Sequence, residues 1–382
     1  MQGVILAAGN GTRLKPLTIA RSKAMITVAN KPCVEWIYEA MKRHAKEVFF
    51  VVRQDQQDII KHFEGRAQFI FQDKPLGTGD AVLRCKDRVG GRFIVSNGDI
   101  LVTRDDMRKI AKSKEPAVSA FRAENPQEYG IFEESGGSAI GIEEKPKKPR
   151  GDLANAGIYV FDDDIFERLE KNKKSQRGER ELTDAIKFPA KMHVIEKRCE
   201  ITFPWEILDA NKFILEEHGS QIHPSAEIRE GAFIEKNVAI GAKAVIGPNC
   251  FIRGYSSVGE NCKVGNAVEV KNSVIMENSF ISHLSYVGDS VIGSNCNVAG
   301  GTIFANLRLD QKNIGMKING KYVDSGRKKL GAIVADGVQF GVNCTVMPGK
   351  RIWPNLLIPP CTIIAKDIEK QPSLKVWKRV LD

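Results

Sequence analysis

The stretch EIREGAFIEKNVAIGAKAVIGPNCFIRGYSSVGENCKVGNAVEV, residues 227–270, carries one aliphatic residue every six positions. Ile228, Ile234, Ile240, Ile246, Ile252, Val258, Val264 and Val270 hold this spacing without a slip, several of them followed by glycine. Two positions before each stands a small or medium residue: Ala226, Ala232, Val238, Ala244, Cys250, Ser256, Cys262 and Val268. This is the pattern of a parallel β-helix, each repeat forming one face of a coil. A coil buries its side chains only against neighbouring coils, so the array must be long, and the pattern runs on to about Ile364.

The same period explains the cysteines. Asn249-Cys250, Asn261-Cys262, Asn295-Cys296 and Asn343-Cys344 place four of the eight in the small slot, with Cys296 and Cys344 two positions before Val298 and Val346. They read as inward fillers rather than metal ligands, and no CxxC pair occurs. With no apolar segment long enough for export or spanning, the expected compartment is reducing and cytoplasmic. One stretch breaks the period: MKINGKYVDSGRKKLG, residues 316–331, contains Asn319-Gly320, a strong two-residue turn signal, and predicts a hairpin projecting from the coil.

Upstream the texture differs. GVILAAG, EVFFVVRQ, AQFIFQ, RFIVSNGDI, PAVSAF and AGIYVF read as buried strands, with helical patterns in VEWIYEAMKRHA and QQDIIKHF between the early ones. Doubly buried strands joined by helices predict a Rossmann-like, mostly parallel, doubly wound α/β sheet. A last helix, Trp205 to His218, ends near Gly219-Ser220, so the expected domains are 1–219 and 220–382. A chain of 382 residues that is 42% hydrophobic and 27% charged supports two such cores. The net charge of +10 raises the question of nucleic acid, but the basic residues are spread out, with local knots only at Lys145–Arg150 and Lys171–Arg180. No recognition helix, aromatic RNA-binding motif or zinc-finger spacing accompanies them, so neither nucleic acid nor membrane is expected as a partner.

Near the N-terminus, LAAGNGTRLKPLT (residues 6–18) is a glycine loop of neither common kind. A P-loop needs Gly-Lys-Ser/Thr where Gly11-Thr12-Arg13 stands. The dinucleotide fingerprint needs a small residue at Leu14 and an acid about 20 positions on, and has neither. Followed by Lys23 and Asn30-Lys31-Pro32, and then by LGTGDA (76–81), NGD (97–99), EYG (128–130), EEKP (143–146) and NAGIYVF (155–161), the loop resembles the sugar-1-phosphate nucleotidylyltransferase signature, motif after motif in order.

That resemblance implies attack of a sugar phosphate oxygen on the α-phosphorus of a nucleoside triphosphate. The nucleophile is already ionised, so catalysis rests on positioning and charge neutralisation. Leu6, Ala8, Gly9, Gly11 and Thr12 would hold the nucleotide, the glycines letting backbone N–H groups approach the phosphates. Arg13 and Lys23 would bind the triphosphate and steady the leaving pyrophosphate; the family usually has Pro before that lysine, where this chain has Ser22. Asp99 would hold Mg²⁺, with Glu206 or Asp209 as second carboxylate. Gln72, Gly77 and Thr78 resemble residues that read a pyrimidine edge, and Gly130, Glu144, Lys145 and Asn155 those that hold the sugar phosphate. UTP and dTTP differ by one methyl and both stay open.

VEVKNSVIMENSFISHLSYVGDSVIGSNCNVAGGTIFAN, residues 268–306, resembles the acetyltransferase site of the bifunctional N-acetylglucosamine-1-phosphate uridyltransferase/glucosamine-1-phosphate acetyltransferase family. By that likeness His283 is the catalytic base, a role that suits imidazole at neutral pH. Arg253, Lys271, Tyr286, Asn297, Asn306 and Lys329 would bind the amino-sugar phosphate, and the Ala299 N–H would face the thioester oxyanion of acetyl-CoA. The family's β-helix is left-handed and forms homotrimers with active sites between subunits. The alternatives are a monofunctional glucose-1-phosphate thymidylyl- or uridylyltransferase whose β-helix only oligomerises, and a non-catalytic regulatory subunit. The stretch 268–306 argues against the first, and Arg13, Lys23 and Asp99 against the second.

Overall fold

Most of the short aliphatic runs of the first half bury both faces, as in Val48–Val52, where every residue is covered, while the edge run Gln68–Phe71 leaves Phe71 exposed. The computed structural model describes residues 1–74, 76–172 and 178–372; the middle of the basic knot at Lys171–Arg180 lies outside the described residues. Packing groups the chain into two units. The first comprises Met1–Asn10, Ser22–Met25 and Cys33–Glu200; the second comprises Gly11–Arg21, Ile26–Pro32 and the chain from Ile201 onward.

In the first unit a nine-stranded sheet forms the core. Gln68–Phe71, Val48–Val52, Gln2–Leu6 and Phe93–Asn97 are parallel neighbours in that order, the doubly wound part expected from the sequence. Beyond Phe93–Asn97 the sheet turns mixed. Leu153–Phe161 runs antiparallel both to it and to Ala117–Arg122, which pairs parallel with Ala190–Val194. The far edge is a hairpin, Gly130–Ser135 with Ser138–Glu144, which the sequence pattern did not single out. Its turn is Gly136-Gly137, both at positive φ, where the backbone twist of a tight hairpin is free of a Cβ clash.

The second unit holds the hexapeptide repeats as three seven-stranded parallel sheets, the faces of a left-handed β-helix. Ile240 stacks on Val258, then Ile275, Ile292, Val334 and Ile352, all fully buried. Burying such a side chain contributes about 1.5–3 kcal/mol, so each column is a continuous core. The coil shortens from 18 to 17 residues between Val258 and Ile275, and again before Ile292. Buried Ser273 and Ser290 close these tighter corners, their hydroxyls donating to the Lys271 and Gly288 carbonyls at 2.8 Å each. The interruption is the hairpin expected, Ile314–Ile318 with Lys321–Arg327 around Asn319-Gly320, both at positive φ. The helix Glu206–His218, stopped by Gly219 at φ 72°, precedes the first coil.

Candidate functional sites

In the first unit the glycine loop leaves the sheet at Leu6. Its exit is held from three sides: Ala7 N–H donates to the Val51 carbonyl at 2.9 Å, Gln56 Nε2 to the Ala7 carbonyl at 2.9 Å, and an Arg53 guanidinium nitrogen to the Ala8 carbonyl at 2.6 Å. The Gly98 N–H reaches the Leu6 carbonyl at 2.8 Å, and a Cβ on Gly98 would stand 2.8 Å from that oxygen, so only glycine lets the two strand ends meet. This closure fixes the next residue, Asp99, whose carboxylate is ion-paired with the Lys23 ammonium. Both side chains are largely covered. Cys33 lies beneath: burial first, then the Asp99 charge, drives its thiol far up, and it stays neutral.

A second carboxylate stands close by, and the sequence reading missed it. Arg198–Glu200 pairs antiparallel with Ile100–Val102, and the register sets Glu200 opposite Ile100, one residue beyond Asp99. Arg198 holds the Glu200 carboxylate at 2.6 Å while its guanidinium lies 4.1 Å over the Phe121 ring. No motif marks Glu200; only strand register brings it there. The two acids expected as metal partners belong to the second unit and are otherwise engaged. Glu206 accepts the N–H groups of Thr202 and Phe203 at 2.6 and 2.7 Å, and Asp209 is paired with Arg327 at 2.7 Å.

The residues expected to read the base are brought together. Gln72 is buried, its Nε2 donating to Asp80 at 2.9 Å and to the Gly77 carbonyl at 3.1 Å. Gly77, at φ 101°, lies so close to Arg180 that a Cβ would stand 2.5 Å from that residue's carbonyl oxygen. Thr78 Oγ1 accepts the Leu182 N–H at 3.2 Å. The residues expected to hold the sugar phosphate also share one place: Gly130 pairs with Glu144, Lys145 follows at φ 47°, and Ala154, beside Asn155, pairs with Ile131. Asn155 and the Tyr159 hydroxyl hydrogen-bond at 2.7–3.0 Å; burial pushes that phenol up to about 12, so it remains a donor. Gly11, Thr12 and Arg13 fall in the second unit. Gly11, at φ 61°, opens the short turn Thr12–Leu14, and the Arg13 guanidinium lies 5.6 Å from the Phe203 ring centre.

On the β-helix, Lys271 and Asn306 converge on Asp289, which is buried, and Asn306 ties Tyr286 to them. Lys271 Nζ donates to Asp289 at 2.9 Å and Asn272 Nδ2 at 2.7 Å; Asn306 Nδ2 donates to it too, and to the Tyr286 hydroxyl at 3.1 Å. Asp289 is a second member of this cluster that the sequence reading did not name. Arg253 is paired with Glu269 at 3.0 Å. Lys329 is exposed, and its backbone bridges to Leu307 at the base of the inserted excursion, next to Asn306. His283 is exposed at a coil corner; a Cβ on Gly300 of the next coil would lie 3.9 Å from its ring. Asn297 is half-buried on the neighbouring face. The Ala299 N–H lies in the parallel ladder, donating to the Phe340 carbonyl at 3.3 Å.

Comparison with known proteins covers both halves. The family profile described as nucleotidyl transferase matches residues 2–205, and that described as GMPPB C-terminal domain matches residues 242–357. The chain is 40% identical to "Bifunctional protein GlmU" of Methanocaldococcus jannaschii, over 99% of this chain and 98% of that protein. It is 37% identical to the "Bifunctional sugar-1-phosphate nucleotidylyltransferase/acetyltransferase" of Sulfurisphaera tokodaii, over 98% of this chain and all of that one. Among solved structures, a putative glucose-1-phosphate thymidylyltransferase from Bacillus anthracis aligns with TM-score 0.51 at 26% identity, covering 57% of this chain and 96% of its own.

Proposed function

The chain belongs to the bifunctional sugar-1-phosphate nucleotidylyltransferase/acetyltransferase family, and on that premise we propose that it makes a UDP-N-acetylhexosamine in two steps. The observation that carries this reading is that bifunctional relatives match across both halves of one chain rather than across either alone.

In the second unit, the amine of glucosamine 1-phosphate attacks the acetyl thioester of acetyl-CoA. His283 takes the proton from the attacking nitrogen as the N–C bond forms; the C–S bond breaks and coenzyme A leaves as its thiol. Arg253, Lys271, Tyr286, Asn297, Asn306 and Lys329 hold the sugar phosphate. Left-handed β-helix trimers, with this site between subunits, are the assembly that fits the reading.

In the second step the phosphate oxygen of N-acetylglucosamine 1-phosphate attacks the α-phosphorus of UTP, and the bond to pyrophosphate breaks in line. Arg13 and Lys23 neutralise the triphosphate, and Gly9 exposes backbone to it. Gln72, with its amide hydrogens engaged, offers its carbonyl oxygen to a pyrimidine N–H. Gly130, Glu144, Lys145 and Asn155 hold the acceptor sugar. Two carboxylates, Asp99 and Glu200, suit Mg²⁺, an ion that binds through one or two carboxylates and substrate phosphates. Among the described residues no cluster of three or more His, Cys, Asp or Glu side chains would favour a fully protein-ligated ion. Bound there, Mg²⁺ would supply charge neutralisation for the triphosphate.

The test is His283→Ala in the full chain, assayed for thiol release from acetyl-CoA with glucosamine 1-phosphate and for pyrophosphate release from UTP with N-acetylglucosamine 1-phosphate. Acetylation should fall at least about a hundredfold, the share general-base catalysis supplies, while pyrophosphate release persists. Loss of neither activity, or of both, would overturn the assignment.

A further inference from the structure

A cavity of about 340 Å³ opens in the second unit where the helix Glu206–His218, the coils and the inserted hairpin meet. Asp209 and Lys212 line it from the helix, Arg253, Tyr255 and Lys271 from the coils, and Arg327 from the hairpin. It therefore joins two residues already read as phosphate ligands, Arg253 and Lys271, to two cations that no motif named, Lys212 and Arg327.

The ion pairs around this cavity are unequal. Lys271 is held by Asp289, a buried carboxylate that takes further donors from Asn272 and Asn306, and that partnership is built into the coil. Asp209 differs. Its side chain is 48% exposed, whereas that of Arg327 is 21% exposed, and among the described residues Arg327 is the one side chain that hydrogen-bonds to it. An exposed carboxylate in such a pair contributes little and is given up cheaply. A guanidinium receives phosphate oxygens with the same fork geometry it offers a carboxylate, and a phosphate brings more charge.

We infer that Arg327 binds the phosphate of the hexosamine 1-phosphate in the acetyl-acceptor site, and that Asp209 is its resident competitor, displaced when that phosphate enters. The exchange swaps one ion pair for another and needs no bond making or proton transfer. It gives the inserted hairpin a part in the acceptor site, and it gives Asp209 a role on the acetyl side of the enzyme. The inference rests on the acetyl-acceptor reading above.

Calorimetric titration of the full chain with glucosamine 1-phosphate, and separately with inorganic phosphate, tests it in wild type, Arg327→Ala, Arg327→Lys, Asp209→Asn and Arg253→Ala. Arg327→Ala should weaken binding roughly tenfold to a hundredfold, the equivalent of one lost charge-assisted hydrogen bond, and Arg327→Lys should restore part of it. Asp209→Asn should tighten binding of both probes, since it removes the competing charge and keeps the shape. A merely structural ion pair predicts the opposite sign for Asp209→Asn, because breaking it would loosen the hairpin. Unchanged or weaker binding in Asp209→Asn overturns the inference even if Arg327→Ala fails to fold. If Arg253→Ala abolishes binding while both Arg327 variants bind as wild type, the exchange is wrong and the acceptor site stands. If wild type binds neither probe, the acceptor reading falls, and the exchange with it.

Discussion

At the scale of single residues, the carboxylates divide by what already holds them. Glu206 is occupied by the backbone N–H groups of Thr202 and Phe203, in the stretch just ahead of its helix, so its carboxylate ties that stretch to the helix start. Glu200 is held through a side chain, Arg198, and stands by register next to the residue after Asp99. Glu200→Gln should therefore raise the Mg²⁺ concentration needed for half-maximal pyrophosphate release, whereas Glu206→Ala should chiefly cost about 1–3 kcal/mol of stability, read as a lower urea midpoint. If the Mg²⁺ requirement moves with Glu206→Ala and not with Glu200→Gln, the assignment is reversed. Lys23 and Asp99 were legible because their motifs are short and local. Glu200 was not, because its meaning lies in a pairing between strands almost a hundred residues apart, and no period of the sequence reports that register.

At the scale of elements, the β-helix was readable almost rung by rung, since a six-residue repeat needs one inward aliphatic and one small slot at every corner. The corners supply the rest of the explanation for the Asn-Cys pairs. Asn249, Asn261, Asn295 and Asn343 all take the left-handed conformation that asparagine tolerates, and the cysteine that follows each turns inward and is buried. The strict period ends at Val270: the one-residue deletions leave Val270–Ile275 and Val287–Ile292 only five apart, and buried serines absorb them at the corners. Burial of the slot has a measurable consequence. Desolvation pushes the Cys262 and Cys296 thiols up to about 12, while an unfolded chain ionises its thiols near 8.5. The native state thus retains protons that the unfolded state has lost, and stability falls as pH rises between about 9 and 12, by about 1.4 kcal/mol per pH unit for each such thiol. Cys262→Ala removes one of these contributions. Its stability deficit, measured by urea unfolding, should shrink between pH 8 and pH 10.5; a deficit that is constant over that range would show the thiol ionising alike in both states.

At the scale of the whole molecule, the change of period near Gly219 marks where the repeats begin, but packing assigns to the coil-bearing unit two segments from the start of the chain, Gly11–Arg21 and Ile26–Pro32. Arg21 shows how. Its guanidinium donates to Ser294 Oγ at 2.6 Å and to Asp336 at 2.8 Å, with both charged side chains largely buried. Asn30 Nδ2 reaches the Val258 carbonyl at 3.0 Å, and the Arg351 guanidinium the Lys15 carbonyl at 3.3 Å. Part of the nucleotide-loop signature is thus held by residues that lie outside the nucleotidyl transferase match, which ends at residue 205. Arg21 holds the end of the Gly11–Arg21 segment, which carries Gly11, Thr12 and Arg13, against the coils of the same unit. Displacing a phosphate-binding loop by as little as about 1 Å can cost a hundredfold in rate. Asp336→Asn, far along the repeats, should therefore lower the kcat of pyrophosphate release by about tenfold or more, with Arg21→Ala comparable. Because both remove one interaction, the double variant should be little worse than either single one. Additive losses would mean that the two side chains act separately, and an unchanged rate in Asp336→Asn would show that the loop keeps its place without the coils.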